Sequence, residues 1–135
     1  KAIGIGGAMV RMDRVGSVVE PYREMTPAVA FVMDNYAEQI SIRGLAEMTR
    51  LSLSQFDRKF KELFQMTPSD YIHRVRVNAA RRLLEKSSDS IGVIAVECGF
   101  YDQSHFTKRF KRVVGLSPSV YRRQYGRKGA AGGGR

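Results

Sequence analysis

Residues 91–121 read IGVIAVECGFYDQSHFTKRFKRVVGLSPSVY, and two apolar stripes within them set the expected architecture of the whole chain. The first stripe has apolar residues spaced three and four apart and stops at Gly99, which predicts a helix that ends there. Asp102 can cap a second helix, whose own apolar stripe begins at Phe106 and continues to Val114. Two short helices joined by a turn with glycine, the second helix being rich in basic residues, form the layout of a DNA-binding helix-turn-helix.

The same pattern occurs a second time, 50 residues earlier in the chain. At this offset Phe56 corresponds to Phe106, and the Thr-Pro-Ser of residues 67–69 corresponds to the Ser-Pro-Ser of residues 117–119. So many matches at one offset, in segments with the same helical phase, indicate an internal duplication. The sequence therefore predicts two helix-turn-helix units.

The composition restricts the class of protein. A chain of 135 residues with 43% apolar residues is long enough for one folded domain, or for two small subdomains that share a core. The formal net charge of +10 favours an anionic polymer as partner. No apolar run is long enough to cross a membrane, and no signal-peptide pattern opens the chain. The single cysteine excludes an internal disulfide and fits a reducing cytoplasm.

Turn and cap signals divide the chain into three regions. Residues 1–25 are expected to form an irregular N-terminal arm or the remnant of an upstream domain, and residues 126–135 a flexible, basic, glycine-rich tail. Between them, Thr26 and Pro27 predict the start of a helix that ends near residue 40 and buries a stripe that includes Met33. Residues 26–125 are predicted to be all-α, with a first helix-turn-helix at 41–65, a long linker helix at 68–86, a second helix-turn-helix at 90–114 and a C-terminal helix at 118–125.

The polar faces of the two second helices supply the candidate DNA contacts. A rotation of 100° per residue turns the phenylalanines inward and the opposite faces outward. Arg58 is the strongest candidate, because one guanidinium can bond both O6 and N7 of guanine. The residues predicted to read bases, at or near the helix N-termini, are Ser54, Gln55, Arg58, Ser104, His105 and Lys108. The residues predicted to contact phosphates are Lys59, Lys61, Arg109, Lys111 and Arg112.

The sequence offers little to an enzyme. Cys98 lies within an apolar stripe and is expected to be a buried small residue, and two histidines with one cysteine do not make a metal site. No nucleophile with a base, acidic pair or phosphate loop is present, so neither catalysis nor a cofactor is expected. Two alternatives to a sequence-specific DNA reader remain open: a non-specific architectural DNA-binding protein and the targeting domain of a DNA-repair enzyme.

Three segments of the second unit closely resemble the C-terminal signature of AraC/XylS-type transcriptional regulators: residues 94–100 (IAVECGF), 102–106 (DQSHF) and 115–122 (GLSPSVYR). The first unit is similar more loosely, through Leu45-Ala46 and Phe60-Lys61 among others. The resemblance implies seven helices in two helix-turn-helix subdomains joined by the long helix. It also implies that one chain places two recognition helices in successive major-groove segments of double-stranded DNA.

The resemblance carries further expectations about site and partners. It places base contacts on Ser54, Arg58, Ser104 and Lys108, and adds Gln103 to them. It implies regulation of transcription beside RNA polymerase, in the bacterial cytoplasm and at the nucleoid. This chain is expected to act as a monomer, and dimerisation through an upstream domain is left open.

The chain departs from the family pattern in the first unit. Arg50 stands in the first turn where many relatives have glycine, and Gln65 stands where the second unit has Gly115. Both residues are expected to be forced into the left-handed conformation despite carrying a Cβ.

Overall fold

The computed structural model describes the backbone of residues 15–127 and the side chains of residues 20–127. This part of the chain is all-α, as predicted, with seven helices and no strand. The helices are α1 Val15–Asn35, α2 Ile42–Met48, α3 Leu53–Phe64, α4 Pro68–Lys86, α5 Ile91–Glu97, α6 Gln103–Val114 and α7 Pro118–Tyr125. Residues 1–14 and 128–135, which hold much of the predicted arm and most of the predicted tail, lie outside the described residues.

Each helix from α2 to α7 begins at a side-chain cap, in which an oxygen accepts a hydrogen bond from the backbone N–H three residues later. These bonds satisfy donors that the first turn of a helix leaves free. Ser52 and Gln55 form a reciprocal capping box at the start of α3, and Asp102 accepts from the N–H of His105 at 2.8 Å at the start of α6. The second helix of each helix-turn-helix unit, α3 and α6, therefore has a fixed N-terminus.

The first helix differs from the sequence prediction, because α1 begins at Val15 and not at Thr26. Residues 15–25 are helical, where an irregular arm was expected. The helix passes through Pro21 and Pro27, each of which lacks the N–H of an i→i−4 hydrogen bond. Thr26 caps no helix, and its hydroxyl donates to the carbonyl of Tyr22 at 3.3 Å instead.

The part of α1 that contains the two prolines packs on the first core. Met25 is fully buried, and the ring of Tyr22 meets the ring of Phe64 edge-on with centroids 5.7 Å apart. The hydroxyl of Tyr22 also donates to the carbonyl of Leu63 at 3.3 Å. The buried face of α1 excludes Met33, which is 55% exposed although its stripe was predicted to be inward. Tertiary contacts thus decide which face of this helix is buried.

The C-terminal end of α1 is set by Arg76 of α4. The helix stops at Asn35, about five residues before the predicted end. The guanidinium of Arg76 donates to the carbonyl of Tyr36 at 2.7 Å and to the carbonyl of Glu38 at 2.8 Å. These carbonyls are therefore satisfied outside a helix, in the connector of residues 36–38.

Helix α4 belongs to both hydrophobic cores. Its N-terminal half places Ile72 in a first cluster with α1, α2 and α3, and its C-terminal half places Val77 and Leu84 in a second cluster with α5, α6 and α7. Phe56 and Phe60 fill the first cluster, as their counterparts Phe106 and Phe110 fill the second. Because one 19-residue helix, roughly 28 Å long, is built into both cores, it fixes the two units relative to each other.

The turns confirm the left-handed residues expected in the first unit. Arg50 has φ 64° and Gln65 has φ 60°, and their counterparts Gly99 and Gly115 have φ 97° and φ 92°. The two turns are not identical, because the second contains one additional residue, Tyr101, which is 88% exposed. The structural equivalence therefore has an offset of 49 before this residue and 50 after it.

Candidate nucleic-acid interface

Buried phenylalanines on the inner faces of α3 and α6 turn the polar faces of both helices outward. Phe56 and Phe106 are 0% exposed, which fixes the rotation of each helix about its axis. The residues opposite them are exposed, and they include Arg58 in α3 and Lys108 in α6. The other predicted contact residues that are exposed are Ser54, Gln55, Lys61, Gln103, Ser104, Lys111 and Arg112.

Gln55 and His105, both predicted to read bases, make contacts within the protein. Gln55 is also exposed, whereas His105 is partly buried. The side-chain oxygen of Gln55 accepts from the N–H of Ser52 at 3.1 Å in the capping box, which leaves only its amide N–H groups free. The ring of His105 is partly buried and lies edge-on against His73 of α4, with centroids 5.7 Å apart, and against Phe100 at 5.6 Å. His105 thus packs between α6 and α4, and its buried Nδ1 has no hydrogen-bond partner among the residues that the structure describes.

The predicted phosphate contacts differ between the two units. The first-unit lysines, Lys59 and Lys61, are paired with carboxylates: Lys59 with Glu24 of α1 at 3.5 Å and Lys61 with Asp57 at 3.2 Å. The second-unit cations, Lys111 and Arg112, have no carboxylate within 4.0 Å in the described part of the chain. Since exposed ion pairs are worth about 0–1 kcal/mol, the first-unit lysines can still exchange partners, but the second-unit cations are already free.

A groove of about 340 Å³ lies between the two units, and sequence analysis did not identify it. We call it the inter-unit groove. Its charged residues are three arginines and one carboxylate, and its lining consists of Gln65, Met66, Asp70, His73, Arg74, Arg109, Arg112 and Val113. Arg74 of α4 is exposed, and only the packing of α6 against α4 brings it near Arg109.

His73 is a neutral member of the inter-unit groove at physiological pH. Burial lowers the pKa of His73 to about 4, and the neighbouring positive charges of Arg109 and Arg76 add to this effect. The imidazole therefore carries no charge near pH 7, and the positive charge of the groove resides on its guanidinium groups.

The described residues form neither a metal site nor an exposed thiol. No three side chains among His, Cys, Asp and Glu in residues 20–127 come together as a metal site. Cys98 is 1% exposed, and burial raises the pKa of its thiol to about 11, which confirms the expectation of a buried small residue. None of the described helices is long and apolar enough to cross a membrane.

Comparisons with known sequences agree with this geometry. A model of a helix-turn-helix domain matches residues 45–124. The chain is 38% identical over 96 residues to the HTH-type transcriptional activator RhaS of Pectobacterium atrosepticum. The matched region covers 71% of this chain and 34% of RhaS. The chain is 34% identical over 101 residues to the HTH-type transcriptional regulator YisR of Bacillus subtilis, covering 75% of this chain and 35% of YisR. The chain thus spans about a third of the length of the curated relatives it matches.

Solved structures show the same architecture. A transcriptional regulator with an AraC-type DNA-binding domain from Chromobacterium violaceum superposes with a TM-score of 0.73 at 31% identity, covering 79% of this chain and 96% of that one. The DNA-binding domain of the global transcriptional factor AdpA, solved in complex with a target DNA, gives a TM-score of 0.71 at 33% identity. That similarity covers 76% of this chain and 92% of the AdpA domain.

Proposed function

The chain belongs to the AraC-type helix-turn-helix family of transcriptional regulators, and we propose that it regulates transcription by binding a specific site on double-stranded DNA. In this proposal α3 and α6 enter successive major-groove segments on one face of the duplex. The observation that carries it is the pair of exposed polar helix faces, held at a fixed separation by one helix that is part of both cores. Successive major-groove segments lie roughly 34 Å apart, which is comparable with the length of α4, roughly 28 Å, the helix that joins the two units.

Base readout is proposed for the exposed residues near the two helix N-termini. Arg58 and Lys108 occupy equivalent outward positions, and a serine precedes each of them by one turn, Ser54 and Ser104. Gln103 at the start of α6 joins this set, and Gln55 contributes only through its amide N–H groups. His105 is left out of the proposed base contacts, because its ring packs against α4.

Selection of bound sequences from a random DNA pool at physiological salt tests this proposal. The wild type should enrich a site of two blocks about one helical turn apart. Arg58→Ala should relax one base position in one block, by about 1–3 kcal/mol of discrimination, and Lys108→Ala should relax the other block. Arg82→Ala, an exposed arginine outside both recognition helices, is the matched control and should leave both blocks intact. An enriched pool without a motif would refute base readout and favour an architectural protein.

We further propose that the full-length regulator acts in the cytoplasm, at the nucleoid and beside RNA polymerase. Support comes from the family and from the transcriptional activators among the relatives, which are about three times longer than the matched region. Transcription by purified RNA polymerase from a template with the selected site should change when the regulator is added. A template with both blocks scrambled is the control, and an equal response of the two templates would contradict the proposal.

A further inference from the structure

We propose that the inter-unit groove holds a backbone phosphate of the DNA segment that lies between the two recognition helices. This proposal rests on the proposed function, since it places the duplex along the exposed faces of α3 and α6. It adds Arg74 of the linker helix to the DNA-contacting residues and gives Arg109 a defined place among them.

The charge of the inter-unit groove suits a phosphate. Arg74, Arg109 and Arg112 line it, and Asp70 is the only carboxylate that the described residues contribute to its lining. None of the three guanidinium groups has a carboxylate within 4.0 Å in the described part of the chain, so their charge is not neutralised internally. Guanidinium groups bond phosphate oxygens in pairs, which makes arginine well suited to hold a phosphate in one orientation.

The position of the groove suits the DNA backbone. Along α6, residues 105, 109 and 112 form one stripe at helical spacing, and His105 shows that this stripe turns toward α4. Arg112 lies one turn beyond the outward residue Lys108, so the stripe borders the face that is proposed to enter the major groove. In the proposed docking the sugar-phosphate backbone crosses between the two units, and the lining of the inter-unit groove comes from both of them.

Salt dependence of binding tests the proposal with paired variants. Each phosphate contact that is lost should reduce the slope of log affinity against log salt by about 0.9, so the fall in affinity between 50 and 200 mM salt should become about 3.5-fold smaller. We expect this of Arg109→Ala and of Arg74→Ala, on the selected site and on unrelated duplex alike. Arg82→Ala removes the same charge from α4 about 12 Å further along the helix and should keep the wild-type slope.

Asp70→Asn provides a test in the opposite direction. Removing the carboxylate from the groove lining should tighten binding to any duplex, because Asp70 repels the phosphate that the arginines attract. Asp89→Asn, which removes a carboxylate outside the groove lining, is the matched control and should tighten binding less. Thermal unfolding of every variant checks that the fold is retained.

Phosphate ethylation interference locates the contact. Ethylation of a phosphate between the two selected blocks should block binding of the wild type, and this interference should disappear with Arg109→Ala. The proposal is overturned if Arg74→Ala, Arg109→Ala and Arg82→Ala give the same slope of log affinity against log salt. This outcome does not depend on which DNA sequence is selected. If instead no base motif is selected but the slopes differ on unrelated duplex, base readout fails while the phosphate site stands.

Discussion

Gly99 of the second helix-turn-helix contacts the connector after α1. Gly99→Ala should therefore lower the free energy of unfolding by much more than the penalty for alanine in a left-handed conformation. A Cβ at this position would lie 2.6 Å from the carbonyl oxygen of Tyr36 and 2.8 Å from Nε of Arg76. The added methyl must therefore displace Arg76 or the connector, and both hydrogen bonds of its guanidinium are at risk. Each is a bond to a charged group, worth about 1.5–3 kcal/mol.

Gly115→Ala is the matched control for Gly99→Ala. Gly115 has φ 92° against φ 97° for Gly99, but no atom of the described residues lies within 4 Å of a Cβ added at Gly115. Both variants incur the left-handed penalty of about 1–2 kcal/mol, so their difference isolates the crowding. We expect Gly99→Ala to lower the free energy of unfolding, measured with urea, by about 2–4 kcal/mol more than Gly115→Ala. Equal losses would refute the role assigned to the contact between Gly99 and the connector.

Three further outcomes are expected. Arg50→Gly should raise the free energy of unfolding by about 0.5–1 kcal/mol, because glycine relieves the positive φ of 64°; a loss in urea titration would contradict this. The pKa of His73 is lowered to about 4 from its ordinary value of 6.5, so the unfolded chain binds a proton at higher pH than the native state does. Stability should then fall as the pH drops from about 6.5 toward 4, and His73→Phe should flatten that dependence; an unchanged dependence would exclude His73 as its source. Replacing Lys111 and Arg112 with alanine should flatten the salt dependence of DNA binding more than replacing Lys59 and Lys61. In the described part of the chain the two first-unit lysines are paired with carboxylates, and the two second-unit cations are not. Identical slopes of log affinity against log salt would contradict this.

The duplicated units could be predicted from the sequence because their signals are local. A serine or aspartate cap, a proline at the first helical position and phenylalanines four residues apart each act within one helix. The left-handed conformations of Arg50 and Gln65 could be predicted as well, because glycine at an equivalent position indicates a backbone that requires positive φ.

The features that sequence analysis missed depend on contacts between helices. Thr26 and Pro27 indicated the start of α1 too late, since the helix continues upstream through Pro21, where Met25 and Tyr22 pack on the first core. Met33 fits a helical stripe but faces away from the core. The end of α1 depends on Arg76, which is 40 residues away from its acceptor in the chain.

The same limit applies to the candidate site. A helical wheel gives the outward residues, and Arg58 and Lys108 are exposed. The wheel does not show which neighbour covers a flank, so His105 was predicted to read bases although its ring packs against His73. The pairing of Lys59 with Glu24 and the inter-unit groove likewise exist only once α1, α4 and α6 are assembled.

The central claim is that one rigid chain reads two blocks of one duplex face at a fixed separation. Its most direct test is the affinity for the selected site after five base pairs are inserted between the blocks, which rotates one block by about half a helical turn. Because α4 is built into both cores, the units cannot follow this rotation, and affinity should fall to that of a site with one block scrambled. Inserting a full turn of about ten base pairs should not restore it, since the spacing of the units is also fixed. Undiminished affinity for the five-base-pair insertion would contradict the claim.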